Sequence, residues 1–163
     1  DFKKNLTEAA EQRANDEVEN QMVDKLVELV QAEIPEAMYE NRINDDIRDF
    51  GYRLQSQGLN FETYLKYTGM DANSIRASFR PQAERQVKVR LALEKIAELE
   101  AIKPTEEEIS AEYDKIAKAY EMDVENVKKM IAEEDLAKDI AVEKAAGIVR
   151  DALAITETAE KAE

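Results

Sequence analysis

Apolar residues in this chain recur at steps of three and four, and no segment alternates convincingly with period two. Steps of that size gather side chains on one face of a helix, whereas a half-buried strand needs alternation. The rhythm is cut at Pro35, Gly58, Pro81 and Pro104, so no heptad register persists and one continuous coiled coil is disfavoured. Only 4 Gly and 3 Pro stand in 163 residues, few turn-formers for a sheet, while a hydrophobic share of 44% supplies a core. The predicted class is all-α.

Residues 1 to about 33 read as one long helix, with Leu6, Ala10, Ala14, Val18, Met22, Leu26 and Leu29 or Val30 on its stripe. Ile34 precedes a proline and is the expected breakpoint. Pro35 suits the first turn of a second helix that runs to about Gln57. Its stripe of Tyr39, Ile43, Ile47, Phe50 and Leu54 reads as structural packing, and Gly58 as its stop. Asn60 to Leu65 forms a short capped helical turn, and Tyr67 to Met70 a turn with Gly69 at its bend. Asp71 caps a third helix from about Ala72 to Glu100. Pro81 inside it is predicted to remove a backbone bond to Ala77 and to kink or split it. Beyond Pro81, the apolar residues Val87, Val89, Leu91, Leu93, Ile96 and Leu99 cover more than one face, which asks for two packing partners. Thr105 and Glu108 fit a capping box ahead of Ile109, Tyr113, Ile116 and Tyr120. Asp123 caps a short helix with Val124, Val127 and Ile131, and a last helix spans about Asp135 to Leu153. From Thr156 no core pattern continues, and a frayed tail is expected. One local echo stands out: Tyr67-Thr68-Gly69-Met70-Asp71 before one helix and Tyr120-Glu121-Met122-Asp123 before another.

Charge and missing residue types narrow the function. A formal net charge of −14 repels phosphate backbones and anionic lipid, so neither nucleic acid nor membrane is an expected partner. The chain has no Cys and no His, which removes the commonest general base and the commonest transition-metal ligand. No nucleophile stands with a base, and no enzyme is expected. The runs Glu106-Glu107-Glu108, Asp45-Asp46 and Glu133-Glu134-Asp135 read as capped, solvated first turns rather than as metal clusters, so no metal and no cofactor are expected. No apolar run reaches the roughly 20 residues a bilayer crossing takes. The chain begins without Met inside a helical pattern and reads as a piece of a longer protein.

Several runs, in order, resemble the C-terminal domain of the bacterial trigger factor family. Glu33-Ile34-Pro35-Glu36-Ala37-Met38 resembles its "VPE" entry to the first arm. Gly58 to Met70, with Glu62, Tyr64 and Leu65 inside it, resembles its "G-hydrophobic-x-x-E-x-Y-L" segment. Phe79-Arg80-Pro81-Gln82-Ala83-Glu84-Arg85-Gln86-Val87-Lys88 is similar to its "F-R-x-x-A-x-x-x-V-K" helix, and Thr105 to Ile109 with Tyr120 to Met130 to its second arm. Together they cover residues 3 to 155. The resemblance implies an elongated helical body with two helical-hairpin arms: 1–34 the long body helix, 35–100 the first arm region, 104–155 the second arm region and 156–163 the tail. The peptide-binding part of the periplasmic chaperone SurA is related in fold. A cytoplasmic chaperone domain is implied, holding unfolded or nascent polypeptides without ATP. Ribosome docking and prolyl isomerisation belong to family domains whose signatures this sequence does not match. The family domain also receives a segment that precedes the isomerase domain. Its lack here leaves body surface uncovered, and a homodimer is compatible with that.

Sequence-tolerant holding asks for adaptable apolar side chains in polar surroundings, a role that suits Met and Tyr. Met38, Tyr52, Phe61, Tyr64, Tyr67, Met70 and Met122 sit off the main stripes or in turns and are the candidate client contacts. The competing reading is a helical scaffold or dimerisation module, in which the same side chains fill hairpin cores and no client binds.

Overall fold

A computed structural model describes residues 2–160, with side chains described for residues 14–154. Among the described residues every regular element is a helix: α1 (Phe2–Leu29), α2 (Glu36–Ser56), α3 (Phe61–Thr68), α4 (Ala72–Leu99), α5 (Glu106–Ala119), α6 (Val124–Met130) and α7 (Glu133–Glu160). The fold is all-α, as the apolar spacing requires. Contacts divide the chain into two compact units. One joins Asp1–Glu28 to Leu91–Glu163, and the other is Leu29–Arg90.

In the unit Leu29–Arg90, α2 and the first half of α4 run antiparallel. Glu36 at the start of α2 pairs with Arg80, and Glu40 one turn on pairs with Arg76 one turn earlier in α4. Ile43 and Leu54 of α2 and Ile75, Ala83 and Val87 of α4 are buried. Tyr39, Ile47 and Phe50 complete the stripe at half burial, so the α2 face packs as its spacing predicts. Beyond α2, Gly58 takes φ +76. The Leu59 and Gly58 N–H groups donate to the Leu54 and Gln55 carbonyls at 2.9 and 3.0 Å. These two bonds close the helix and need the left-handed conformation that glycine adopts without strain. Asn60 then caps α3, its side chain accepting from the Thr63 N–H at 2.6 Å.

In the other unit, Val18, Met22 and Leu26 of α1 are buried at steps of four. Tyr113, Ala117, Val127, Leu136 and Ile140 form a second buried cluster, flanked by Ile109, Ile116, Val124 and Ile131. The expected capping box opens α5. Thr105 Oγ1 accepts from the Glu108 N–H at 3.2 Å, and the Glu108 carboxylate accepts from the Thr105 N–H at 2.8 Å. Glu108 also takes the Lys144 ammonium of α7 at 2.6 Å, which ties the two helices. That contact holds the Glu108 carboxyl below the usual carboxylate range.

Five expectations are corrected. The first helix ends at Leu29, ahead of the predicted stop near 33, with Val30 to Pro35 outside any helix. Pro81 does not split α4, which runs unbroken from Ala72 to Leu99. Ala77 and Pro81 both lie on an exposed face, where water can take the carbonyl that proline leaves without a donor. Tyr67 and Thr68 belong to the last turn of α3, and the turn itself begins at Gly69. The Asp45-Asp46 pair is no solvated first turn: it sits inside α2, and Asp46 is only 6% exposed. Arg42 one turn earlier carries it under cover by donating at 2.5 Å. The last helix extends to Glu160. Residues 161–163 of the expected tail, and the Leu6 and Ala10 side chains of the expected stripe, lie outside the described residues.

Candidate functional site

The echo between the two Tyr–Met–Asp runs has a structural basis. After α3, Gly69 is left-handed at φ +67, and the Met70 N–H donates to the Leu65 carbonyl at 3.1 Å. After α5, Glu121 is left-handed at φ +51, and the Met122 N–H donates to the Ala117 carbonyl at 2.9 Å. In both, a tyrosine stands on the closing turn, a methionine follows the left-handed residue, and an aspartate stands ahead of the next helix. Asp71 caps the start of α4, accepting the Ser74 N–H at 2.7 Å. That bond, with a second from the Ser74 hydroxyl, lowers the Asp71 pKa. Asp123 at the corresponding place makes no side-chain cap.

The geometry sets both tyrosines outward. Tyr67 is 86% exposed and Tyr120 72%. Backbone closure occupies the turn's polar groups, so an apolar ring and a methionine are displayed on a turn that is already hydrogen-bonded.

In the unit Leu29–Arg90, Phe61 and Tyr64 of α3 meet Phe50 of α2 edge to face, at centroid distances of 6.4 and 5.0 Å, and Phe79 of α4 meets it at 5.6 Å. Such packing holds rings in place rather than leaving them to rotate freely. Phe61, Tyr64 and Met70 are half-buried, while Tyr52 and Leu59 are exposed nearby in the chain. Met38 stands apart from this cluster. It lines a cleft of about 330 Å³ with Val87 and the polar side chains of Asn41, Arg42, Asp45 and Gln86. The candidates therefore do not form one patch.

Met122 belongs to the other unit. There it shares an apolar cleft of about 230 Å³ with Ile116, Tyr120, Val127, Met130 and Ile131. Tyr120 and Met130, the latter 73% exposed, were not among the sequence candidates. Tyr120 was absorbed into the α5 stripe, yet its place in the echo marked it as the counterpart of Tyr67. Met130 carries no such signal. It ends α6 one turn beyond Val127 on the same side, and the packing of α6 against α5 brings both to the cleft.

Among the described residues no group of three or more carboxylates lies close enough to hold a metal ion, and no helix is long and apolar enough to cross a membrane. The arrangement offers apolar and aromatic surface in small separate pieces.

The model of the C-terminus of the bacterial trigger factor protein matches residues 1–150. The chain belongs to this family. Among curated relatives, the trigger factor of Pelotomaculum thermopropionicum is 44% identical over 151 residues, covering 93% of this chain and 34% of that protein. Trigger factor from Acetivibrio thermocellus is 43% identical over 135 residues, 83% of this chain and 32% of the relative. That of Bacillus subtilis is 38% identical over 144 residues, 88% and 34% respectively. The chain thus spans about a third of the length of the curated relatives it matches. A solved structure of trigger factor domains from Thermotoga maritima has a similar fold, with a TM-score of 0.57 at 20% identity over 84% of this chain and 81% of that one.

The structure gives the sequence motifs physical roles. In the Phe79-Arg80-Pro81 run, Phe79 enters the aromatic cluster, and Arg80 binds both Glu36 and Glu84 and lies 5.9 Å from the Tyr39 ring centroid. The contacts with Glu36 and Tyr39 tie α4 to the first turn of α2. Removal of the Tyr39 ring from water, with the Glu84 and Glu36 carboxylates nearby, raises the Tyr39 pKa.

Proposed function

We propose that this chain is the part of a cytoplasmic trigger factor that holds unfolded or nascent polypeptides, reversibly and without ATP. The carrying observation is the apolar cleft of Ile116, Tyr120, Met122, Val127, Met130 and Ile131, with Tyr120 and Met130 standing well out of the surface in a family of chaperone domains. Large contiguous apolar patches promote association, so small separated surfaces limit aggregation while each takes a short apolar stretch. Met38, Tyr52, Phe61, Tyr64, Tyr67 and Met70 supply the contacts of the other unit in this reading, and Met122 those of the cleft. The net charge of −14 adds mutual repulsion between copies, which opposes self-association of exposed apolar surface. The reading assigns no catalysis to this chain. Ribosome docking and proline isomerisation belong in it to other parts of the protein.

Titration of a permanently unfolded model protein into the labelled chain, followed by NMR, tests this. Shifts are expected at Tyr120, Met122, Met130, Tyr67 and Met70, with a Kd on the order of micromolar and little salt dependence. Tyr120→Ala with Met130→Ala, and separately Tyr67→Ala with Met70→Ala, should weaken binding without loss of helicity. An unchanged spectrum at high client concentration would sink the proposal and favour a scaffold or dimerisation module.

A further inference from the structure

The cleft of Ile116, Tyr120, Met122, Val127, Met130 and Ile131 holds two of the chain's five methionines. Met130 is 73% exposed and Met122 37%, against 6% for Met22 of α1. The chain has no Cys. A mild two-electron oxidant therefore meets a thioether before a thiol, and an accessible thioether before a buried one. Among the residues that line the cleft, only Tyr120 has a polar side-chain atom.

Oxidation changes what such a surface can hold. A methionine side chain is flexible and apolar, and it packs well against aliphatic and aromatic groups. Its sulfoxide carries a polar S–O group instead. A client that covers the cleft buries this oxygen with the Tyr120 hydroxyl as its one side-chain donor, and a buried polar group without a partner is costly. The fold does not depend on either thioether. The buried cluster beneath them is Tyr113, Ala117, Val127, Leu136 and Ile140, and the Tyr113 hydroxyl bond to the Ile131 carbonyl closes it.

We propose that Met122 and Met130 are an oxidation site, and that their conversion to sulfoxide by peroxide closes the cleft to clients. A thioether lone pair attacks one oxygen of hydrogen peroxide, and the S–O bond forms as the O–O bond breaks. The departing hydroxide takes the proton of the transferred oxygen and leaves as water. Sulfur loses two electrons and the peroxide gains them. A methionine sulfoxide reductase, drawing two electrons from thiols, reverses the step. This regulation rests on the client-holding reading of the same cleft.

To test it, the chain is treated with hydrogen peroxide, freed of it, and titrated with a permanently unfolded model protein. The methyl signals of Ile116, Val127 and Ile131 report on the cleft by NMR. Mass spectrometry should find sulfoxide at Met130 first and at Met22 last. Affinity at the cleft should fall about tenfold with helicity unchanged. The two sulfoxide reductases together, one for each epimer, should restore it. In the double variant Met122→Leu with Met130→Leu, the ratio of treated to untreated affinity should stay near one. Oxidation of Met22 as fast as Met130, full cleft affinity in the oxidised chain, or an equal loss in the leucine variant would overturn the switch. So would a fall in affinity that comes with lost helicity. Cleft signals that ignore the client before any treatment would instead remove the client-holding reading, and the switch with it.

Discussion

Arg80 reaches from α4 and donates two hydrogen bonds to the Glu36 carboxylate in the first turn of α2, Nη1 to Oε1 at 2.6 Å and Nη2 to Oε2 at 2.9 Å. The fork geometry is one that a lysine cannot reproduce. It holds the Glu36 carboxyl below its ordinary pKa. A carboxylate with a depressed folded pKa stabilises the fold above its unfolded pKa and loses that contribution as pH falls through the folded value. Acid titration of the unit Leu29–Arg90 should therefore show a loss of stability below the ordinary carboxylate range. Glu36→Gln should be less stable than the parent at neutral pH and show a smaller acid dependence. Circular dichroism melts across pH 2–7 measure both, and parallel curves for the two proteins would contradict the assignment.

Pro81 leaves the Ala77 carbonyl without its helical donor in an otherwise continuous α4. Since both residues are exposed, alanine at 81 restores the N–H without disturbing a core. Pro81→Ala is expected to raise the unfolding free energy by about 1–3 kcal/mol, read from the shift of a urea midpoint at constant slope. No gain would mean that the proline conformation is matched by contacts elsewhere in the unit.

Glu121 occupies at φ +51 the position that glycine takes after α2 and α3, and Ala101 does the same after α4 at φ +50. A side chain in the left-handed region costs about 1–2 kcal/mol. Glu121→Gly should stabilise the chain by about 1 kcal/mol after the larger unfolded-state entropy of glycine is allowed for. The thermal midpoint of the variant should rise, and the Tyr120 and Met122 environments should stay the same by NMR.

Tyr113 is buried in the α5–α6–α7 cluster, and its hydroxyl donates to the Ile131 carbonyl at 3.0 Å. The bond closes α6 onto α5 and so shapes the cleft beneath Tyr120 and Met130. Tyr113→Phe keeps the ring and removes the donor. A loss of about 1–2 kcal/mol in stability is expected. Faster amide exchange confined to α6 should accompany it. Loss spread evenly over all helices would show the bond to be incidental to α6.

Spacing alone specified the helical class, the α2 stripe, the Gly58 stop and the Thr105–Glu108 capping box, because each depends on residues within a few positions of one another. A helix face, a left-handed stop and a cap are local. The identity of the family was legible too, in the order of its motifs along the chain. Met130 and the burial of Asp46 were not legible. Both depend on which helix covers which, and the same residues on an uncovered helix would be ordinary solvated positions. Continuity through Pro81 likewise turned on the exposed face where α4 places it. The sequence by itself determined which stretches are helical and which side of each is apolar. Only tertiary structure decided which of those side chains remain at the surface, since burial is a property of pairs of elements distant in the chain.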